Sequence, residues 1–221
     1  MPSRRRLPPV VSYVAPFAAF VALRWLPVAP EWLAPARLLL VAAAIVVFSR
    51  RVLPAHPSHL ARSVLLGAAV LAVWIAPDLV WPRYREFWLF HNAVTGAARS
   101  SLPPGLRRNV FFIAVRMLES AVLVPVLEEL FWRGWLMRWL IDPDFENVPM
   151  GRYTSFSFWA VAVLFASEHG PYWDVGLIAG VAYNWWLVRT RSLADCMVAH
   201  AVTNALLGVY VLACNQWQYW M

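Results

Sequence analysis

Ionisable and polar side chains interrupt the apolar runs of this sequence at a few places, and their spacing sorts them. In "PVLEELFWRG" two adjacent glutamates, Glu128 and Glu129, precede Arg133. Glu129 and Arg133 are four residues apart with the acid first, the favourable order for an ion pair on one helix face. Arg116 and Glu119, three apart, can neutralise each other in the same way. Glu128 projects about 100° from Glu129, so helix geometry leaves it without a local partner. A free carboxylate is a candidate general base, able to take a proton from an attacking water. Further on, "FASEH" ends in Glu168 and His169, and "HAVTN" places His200 and Asn204 on one helix face. An imidazole can share proton transfer, and a histidine with an amide can stabilise a developing oxyanion.

Each of these has a plainer reading. A histidine inside a membrane helix usually binds a neighbouring helix, and an isolated Glu–Arg pair is usually structural. The Gly176–Gly180 spacing usually signals close helix packing. Glu168 fits a boundary carboxylate, or a second acid beside His169. What favours chemistry is the coincidence of several such groups, because ionisable side chains in a bilayer are costly and mark functional sites.

The elements that must position them are membrane helices. Of 221 residues, 61% are hydrophobic and 14% charged, against about 25% charged in a soluble domain. The net charge is +7 with arginine as the only strong base. Those arginines punctuate the apolar runs instead of forming a patch, which suits topology and anionic lipid and not nucleic acid. Fourteen tryptophans suit a chain with many membrane–water boundaries. The basic start Met1–Arg6 lacks a following small-residue cleavage site and reads as the approach to a first transmembrane helix. Cys196 and Cys214 fall on one helix, roughly 27 Å apart, beyond disulfide reach.

Apolar runs place helices from Pro9 to about Val28, Leu33 to Ser49, and Leu60 to Trp81. Others run from Asn109 to Leu140, Thr154 to His169, Trp173 to Val188, and Leu193 to Ala213. The sequence thus predicts an all-α, polytopic membrane helix bundle of seven or eight transmembrane helices in the cell membrane. Residues 1–108 form an N-terminal transmembrane region, and 109–221 carry the chemistry. The 82–108 connection, with "REFWLFHNAV", predicts an interfacial or re-entrant helix. With the N-terminus inside, Arg4–Arg6, Arg50–Arg51 with Arg62, and Arg189 with Arg191 all fall on the cytoplasmic side, but the arginine-rich connection then falls outside. Measured from one membrane face by helix rise, Glu128, His169, His200 and Asn204 lie roughly 18, 22, 10 and 16 Å deep. All four therefore fall around the middle third of a core about 30 Å thick. A carboxylate serves as a base there only where water reaches it, so a wet cavity belongs to the expectation.

The three motifs read EExxxR, FxxxH and HxxxN in order, followed through "GVAYNWWLVRTRSL" into the third. In this the chain resembles the CAAX-protease and bacteriocin-processing (Abi) family of glutamic-type intramembrane endopeptidases, over about Asn109 to Ala213. The stretch "YNWWLVRTRSLADCMVAHAVTNALLGVYVL" resembles its exosortase-associated branch. The resemblance implies Glu128 as the carboxylate that activates water, His169 sharing the proton work, and His200 with Asn204 as the oxyanion site. Glu129 and Arg133 brace the first motif. It implies a membrane-anchored protein or peptide substrate, an exosortase-type sorting system as partner, and no cofactor. Two alternatives stay open. Glu128, His169 and His200 are three potential zinc ligands, although HExxH is absent and Asn204 suits an oxyanion better. The chain can also be a non-catalytic scaffold or immunity protein that keeps the fold.

Overall fold

The computed structural model describes residues 8–100 and 102–220; the basic residues of Met1–Arg6 lie outside them. The described residues form seven principal helices: α1 Val11–Arg24, α2 Pro30–Ser49, α3 Leu60–Val80, α4 Val110–Trp139, α5 Ser155–Ser167, α6 Trp173–Thr190 and α7 Leu193–Cys214. They include no β-strand, and the fold is all-helical. Four of the helices, α2, α3, α4 and α7, are long and apolar enough to cross a membrane. Large apolar side chains such as Leu39, Leu40, Val47 and Phe111 point outward, as lipid-facing surfaces require.

Local chemistry sets the boundaries. Asn109 caps α4 by accepting from the Phe112 amide at 3.0 Å, and Thr154 caps α5 by accepting from Ser157 at 3.2 Å. Arg191, in the left-handed region at φ 55°, closes α6, and Ser192 then caps α7. The α7 start is tied to the approach to α3 by buried Asp195, which accepts from the His59 amide at 2.8 Å. Small residues allow close contact. A Cβ on Gly67 of α3 would strike the Ala199 carbonyl of α7. On α6, Gly180 faces Ala162 and Phe165 of α5, and a Cβ on Gly176 would lie 3.2 Å from the His169 ring. The Gly176–Gly180 pair is therefore a packing device, and one of its two glycines makes room for a motif histidine.

The 82–108 connection is not the expected helix. It holds only short 3₁₀ turns, at Tyr84–Glu86 and Pro104–Arg108, and an isolated bridge between Asn92 and Gly96. Asn92 is the reason. Its side-chain oxygen accepts from the amides of Val94 and Thr95, and its amide donates to the Trp88 carbonyl, which competes with helical bonding. Arg85 fastens the connection. It donates to Asp78 at the end of α3, to the Pro171 carbonyl and to Asp174 at the start of α6. The tryptophans are divided: Trp25, Trp32 and Trp88 are exposed, whereas Trp74, Trp132, Trp186 and Trp220 are core residues.

Glu119 differs from the simple expectation. Arg37 of α2 takes both its oxygens, at 2.5 and 2.7 Å, while Arg116 reaches it only at 3.5 Å. The planar guanidinium fits a carboxylate at two points, which the i, i+3 neighbour cannot match on a helix. This buried fork joins α2 to α4. Arg37→Gln should lower stability in detergent by about 3–5 kcal/mol, the cost of stranding a buried charge. Arg116→Gln, which leaves the fork intact, should cost less than about 1 kcal/mol. Thermal unfolding of both variants tests this; equal losses would mean that Arg37 does not hold Glu119.

Candidate active site

α4 is not a regular α-helix where it carries the first motif. π-helical turns at Glu119–Leu123 and Leu130–Leu136 flank the regular turns that hold Glu128 and Glu129. Such widened turns are uncommon and frequently occur at functional sites. The first has a local cause. The Val124 amide bonds the Glu119 carbonyl, five residues back. Pro125, next in line for Ser120, has no N–H to donate. The Ser120 carbonyl is thus left without its intrahelical donor, and the Asn204 side-chain amide takes it at 2.9 Å. An irregularity in α4 therefore anchors the last residue of the third motif on α7.

The second motif glutamate is the centre of a buried network. Glu129 and Arg133 are both fully buried and paired at 3.1 Å, as their spacing predicts. Arg133 also donates to Asn184 at 2.9 Å and to the Gly180 carbonyl at 3.3 Å, both on α6. Its guanidinium lies 4.4 Å from the Phe165 ring centre. Asn184 in turn donates to the Phe158 carbonyl of α5 at 2.8 Å. The same Glu129 oxygen contacts His200 Nδ1 at 2.9 Å. Glu129 is the counter-ion of Arg133 and so accepts; His200 Nδ1 therefore donates, and Nε2 is turned the other way. That nitrogen is 4.0 Å from Glu128 Oε2.

Glu128 differs from its neighbour as helix geometry predicts. Its Oε2 is buried without a hydrogen-bond partner, and its side chain borders a cavity of about 570 Å³. His169, His200 and Asn204 line the same cavity, as does Glu168. Two helices, α4 and α7, and the α5–α6 turn thus bring the four expected groups together. His169 Nδ1 is 2.8 Å from the Phe165 carbonyl. A carbonyl can only accept, so Nδ1 carries the proton and Nε2 keeps its lone pair. His169 is seated against the Trp74 edge and the Phe165 ring. Phe165 therefore links the motifs: it backs His169, carries Arg133 and meets the His200 ring edge-on.

Sequence reasoning missed three supports. Asn184 and Tyr183, the latter stacked on His200 at 5.1 Å, lie inside "GVAYNWWLVRTRSL". A neutral Asn inside an apolar helix is the signal that could have found the first. Glu129 was expected only as a brace, but it also orients His200. Among the described residues no group of three or more His, Cys, Asp or Glu is placed to hold a metal ion.

The Pro125–Asn204 relation gives a test independent of cleavage. Asn204→Ala leaves the Ser120 carbonyl without a donor and should cost about 1–3 kcal/mol. Adding Pro125→Ala supplies a backbone N–H below that carbonyl and should recover part of the loss. Thermal unfolding in detergent reads this. A double variant no more stable than Asn204→Ala would show that the freed carbonyl is not what Asn204 satisfies.

No curated protein and no solved structure matches the chain. A family model does match, over residues 110–206, which begin at α4 and contain all three motifs. The matching model is described as "Rce1-like: Type II CAAX prenyl endopeptidase Rce1-like". Residues 110–206, a little under half of the chain, are therefore similar to the Rce1-like type II CAAX prenyl endopeptidases.

Proposed function

We propose that this protein is an intramembrane endopeptidase of the glutamic type, hydrolysing a peptide bond in a membrane-associated substrate. The observation that carries the reading is the unequal treatment of two adjacent glutamates. Glu129 is held through Oε1 by Arg133 and His200, with its Oε2 enclosed and unpartnered, whereas Glu128, whose Oε2 is also unpartnered, borders a cavity lined by two motif histidines. In this reading a water in the cavity lies between Glu128 and His169. Glu128 removes its proton as the oxygen attacks the scissile carbonyl, and His169 Nε2, free of other duties, carries the proton to the leaving amine. General-base help of this kind is worth about 10²–10⁴-fold.

The oxyanion falls to His200 and Asn204. With Nδ1–H donated to Glu129, His200 has Nε2 left over, and that nitrogen donates to the oxyanion when it carries a proton. Asn204 has a second amide hydrogen beyond the one given to Ser120. Donors fixed before reaction are the larger part of such stabilisation. A zinc enzyme using Glu128, His169 and His200 is less well supported, because the donors do not gather into a ligand cluster. A cell-membrane location and a link to an exosortase-type sorting system belong to this proposal, not to the geometry.

Comparing membrane proteomes of cells that carry the wild-type protein, Glu128→Gln, or none should reveal a substrate whose terminus changes only with the wild type. Cleavage of that substrate by purified protein should survive exhaustive chelation. Cleavage by Glu128→Gln at the wild-type rate would refute the assignment. Loss on chelation with recovery by zinc would establish the metalloprotease instead.

A further inference from the structure

α7 ends at Cys214, and Asn215, in the left-handed region at φ 56°, turns the chain out of the helix. The segment that follows, Gln216–Trp220, lies outside the residues matched by the family model, and the proposed chemistry gives it no task. It forms a single 3₁₀ turn at Trp217–Tyr219, and its rings set its course. Tyr219 packs on Tyr172 of the α5–α6 turn, with ring centres 5.1 Å apart. Trp220 meets Trp217 at 5.7 Å and lies 5.8 Å from the Arg116 guanidinium of α4.

Three cavities meet at this segment. Trp220 borders both the catalytic cavity and a neighbour of about 380 Å³. Tyr219 borders the catalytic cavity and a third, of about 650 Å³, which Gln216 and Gln218 also line. The segment therefore partitions the space at the end of the bundle where α3 and α7 finish. Its fastening is slight. Among the described residues, two hydrogen bonds tie Trp217–Trp220 to the rest of the protein. Tyr219 donates to Asp78 of α3 at 2.7 Å, and Ser100 donates to the Trp220 carbonyl at 3.0 Å.

Plain packing accounts for Trp220, which joins Ala34, Phe112 and Val211 in one cluster. It does not account for Tyr219, which separates two cavities and is held there by a hydroxyl on a carboxylate. Burial of the Trp220 ring opposes release in water. At the end of a membrane span, however, a released indole passes to the membrane–water interface, where tryptophan is favoured.

We propose that Gln216–Trp220 is a strap that closes the catalytic cavity at rest and swings about Asn215 to join the three cavities and admit the substrate chain. The proposal rests on the endopeptidase reading for what enters. Such a lid keeps peptides out until binding displaces it, and the substrate must favour the open form by its extra contacts there.

Opening is read without cleavage, as the rate at which a water-soluble methanethiosulfonate labels a cysteine in the cavity wall. The parent protein carries Leu207→Cys, at a position that lines the catalytic cavity. Its exposed Cys214 is changed to Ser, while buried Cys196 stays. Tyr219→Phe removes a hydrogen bond to a carboxylate and should speed labelling about tenfold or more. Ser100→Ala removes a neutral bond and should speed it about two- to tenfold; the double variant should exceed both. Tyr84→Phe is the control. It removes a bond of the same kind off the strap, to Asp174 at 3.0 Å, and should leave the parent rate unchanged. Strap variants that label at the parent rate, no labelling in any of them, or an equal rise in Tyr84→Phe overturns the proposal. Because only labelling is read, its failure leaves the endopeptidase assignment standing, and a protein that never cleaves can still show the strap opening.

Discussion

Everything in the site hangs from one buried guanidinium. Arg133 is completely enclosed, and placing a charge there is unfavourable by several kcal/mol unless its donors are satisfied. They are satisfied by Glu129 on its own helix and by Asn184 and the Gly180 carbonyl on α6. Glu129 extends the network to His200 on α7. The cation therefore fixes the relative positions of α4, α6 and α7, and it fixes which nitrogen of His200 is left over. Removing Glu129 or Arg133 leaves the other buried charge without compensation, whereas removing Asn184 leaves one guanidinium donor without its acceptor.

The same logic explains why the motif helix is irregular. A proline in the middle of α4 removes one backbone donor, and the widened turn before it reassigns another. In a soluble protein water would repair the loss. Inside a membrane the repair must come from protein, and it comes from Asn204. A residue that the resemblance assigns to oxyanion binding thus has a packing reason for its place, and the proposed role would use the other hydrogen of its amide.

Much of this was legible in the sequence, for identifiable reasons. The seven principal helices of the described residues lie within a few residues of the expected apolar runs, and four of them are long and apolar enough to cross a membrane, because apolar length is a local signal. The Glu129–Arg133 pair and the separate direction of Glu128 follow from helical spacing alone. What was not legible is what depends on another helix. Arg37 as the partner of Glu119, Glu129 as the partner of His200, and Asn184 beneath Arg133 all join residues distant in the chain. The 82–108 connection misled for a different reason. Its apolar residues resemble a helix, but the Asn92 side chain and the anchoring of Arg85 set its course.

The central claim is that two adjacent, chemically identical glutamates have different duties because one is paired and the other is not. Thermal stability of Glu128→Gln and Glu129→Gln, measured side by side in detergent, tests it most directly. Glu129→Gln strands Arg133 and should lose about 3–5 kcal/mol. Glu128→Gln removes a charge that has no partner at Oε2 and should unfold at or above the wild-type temperature. Equal destabilisation of the two, or a stable Glu129→Gln, would contradict the account.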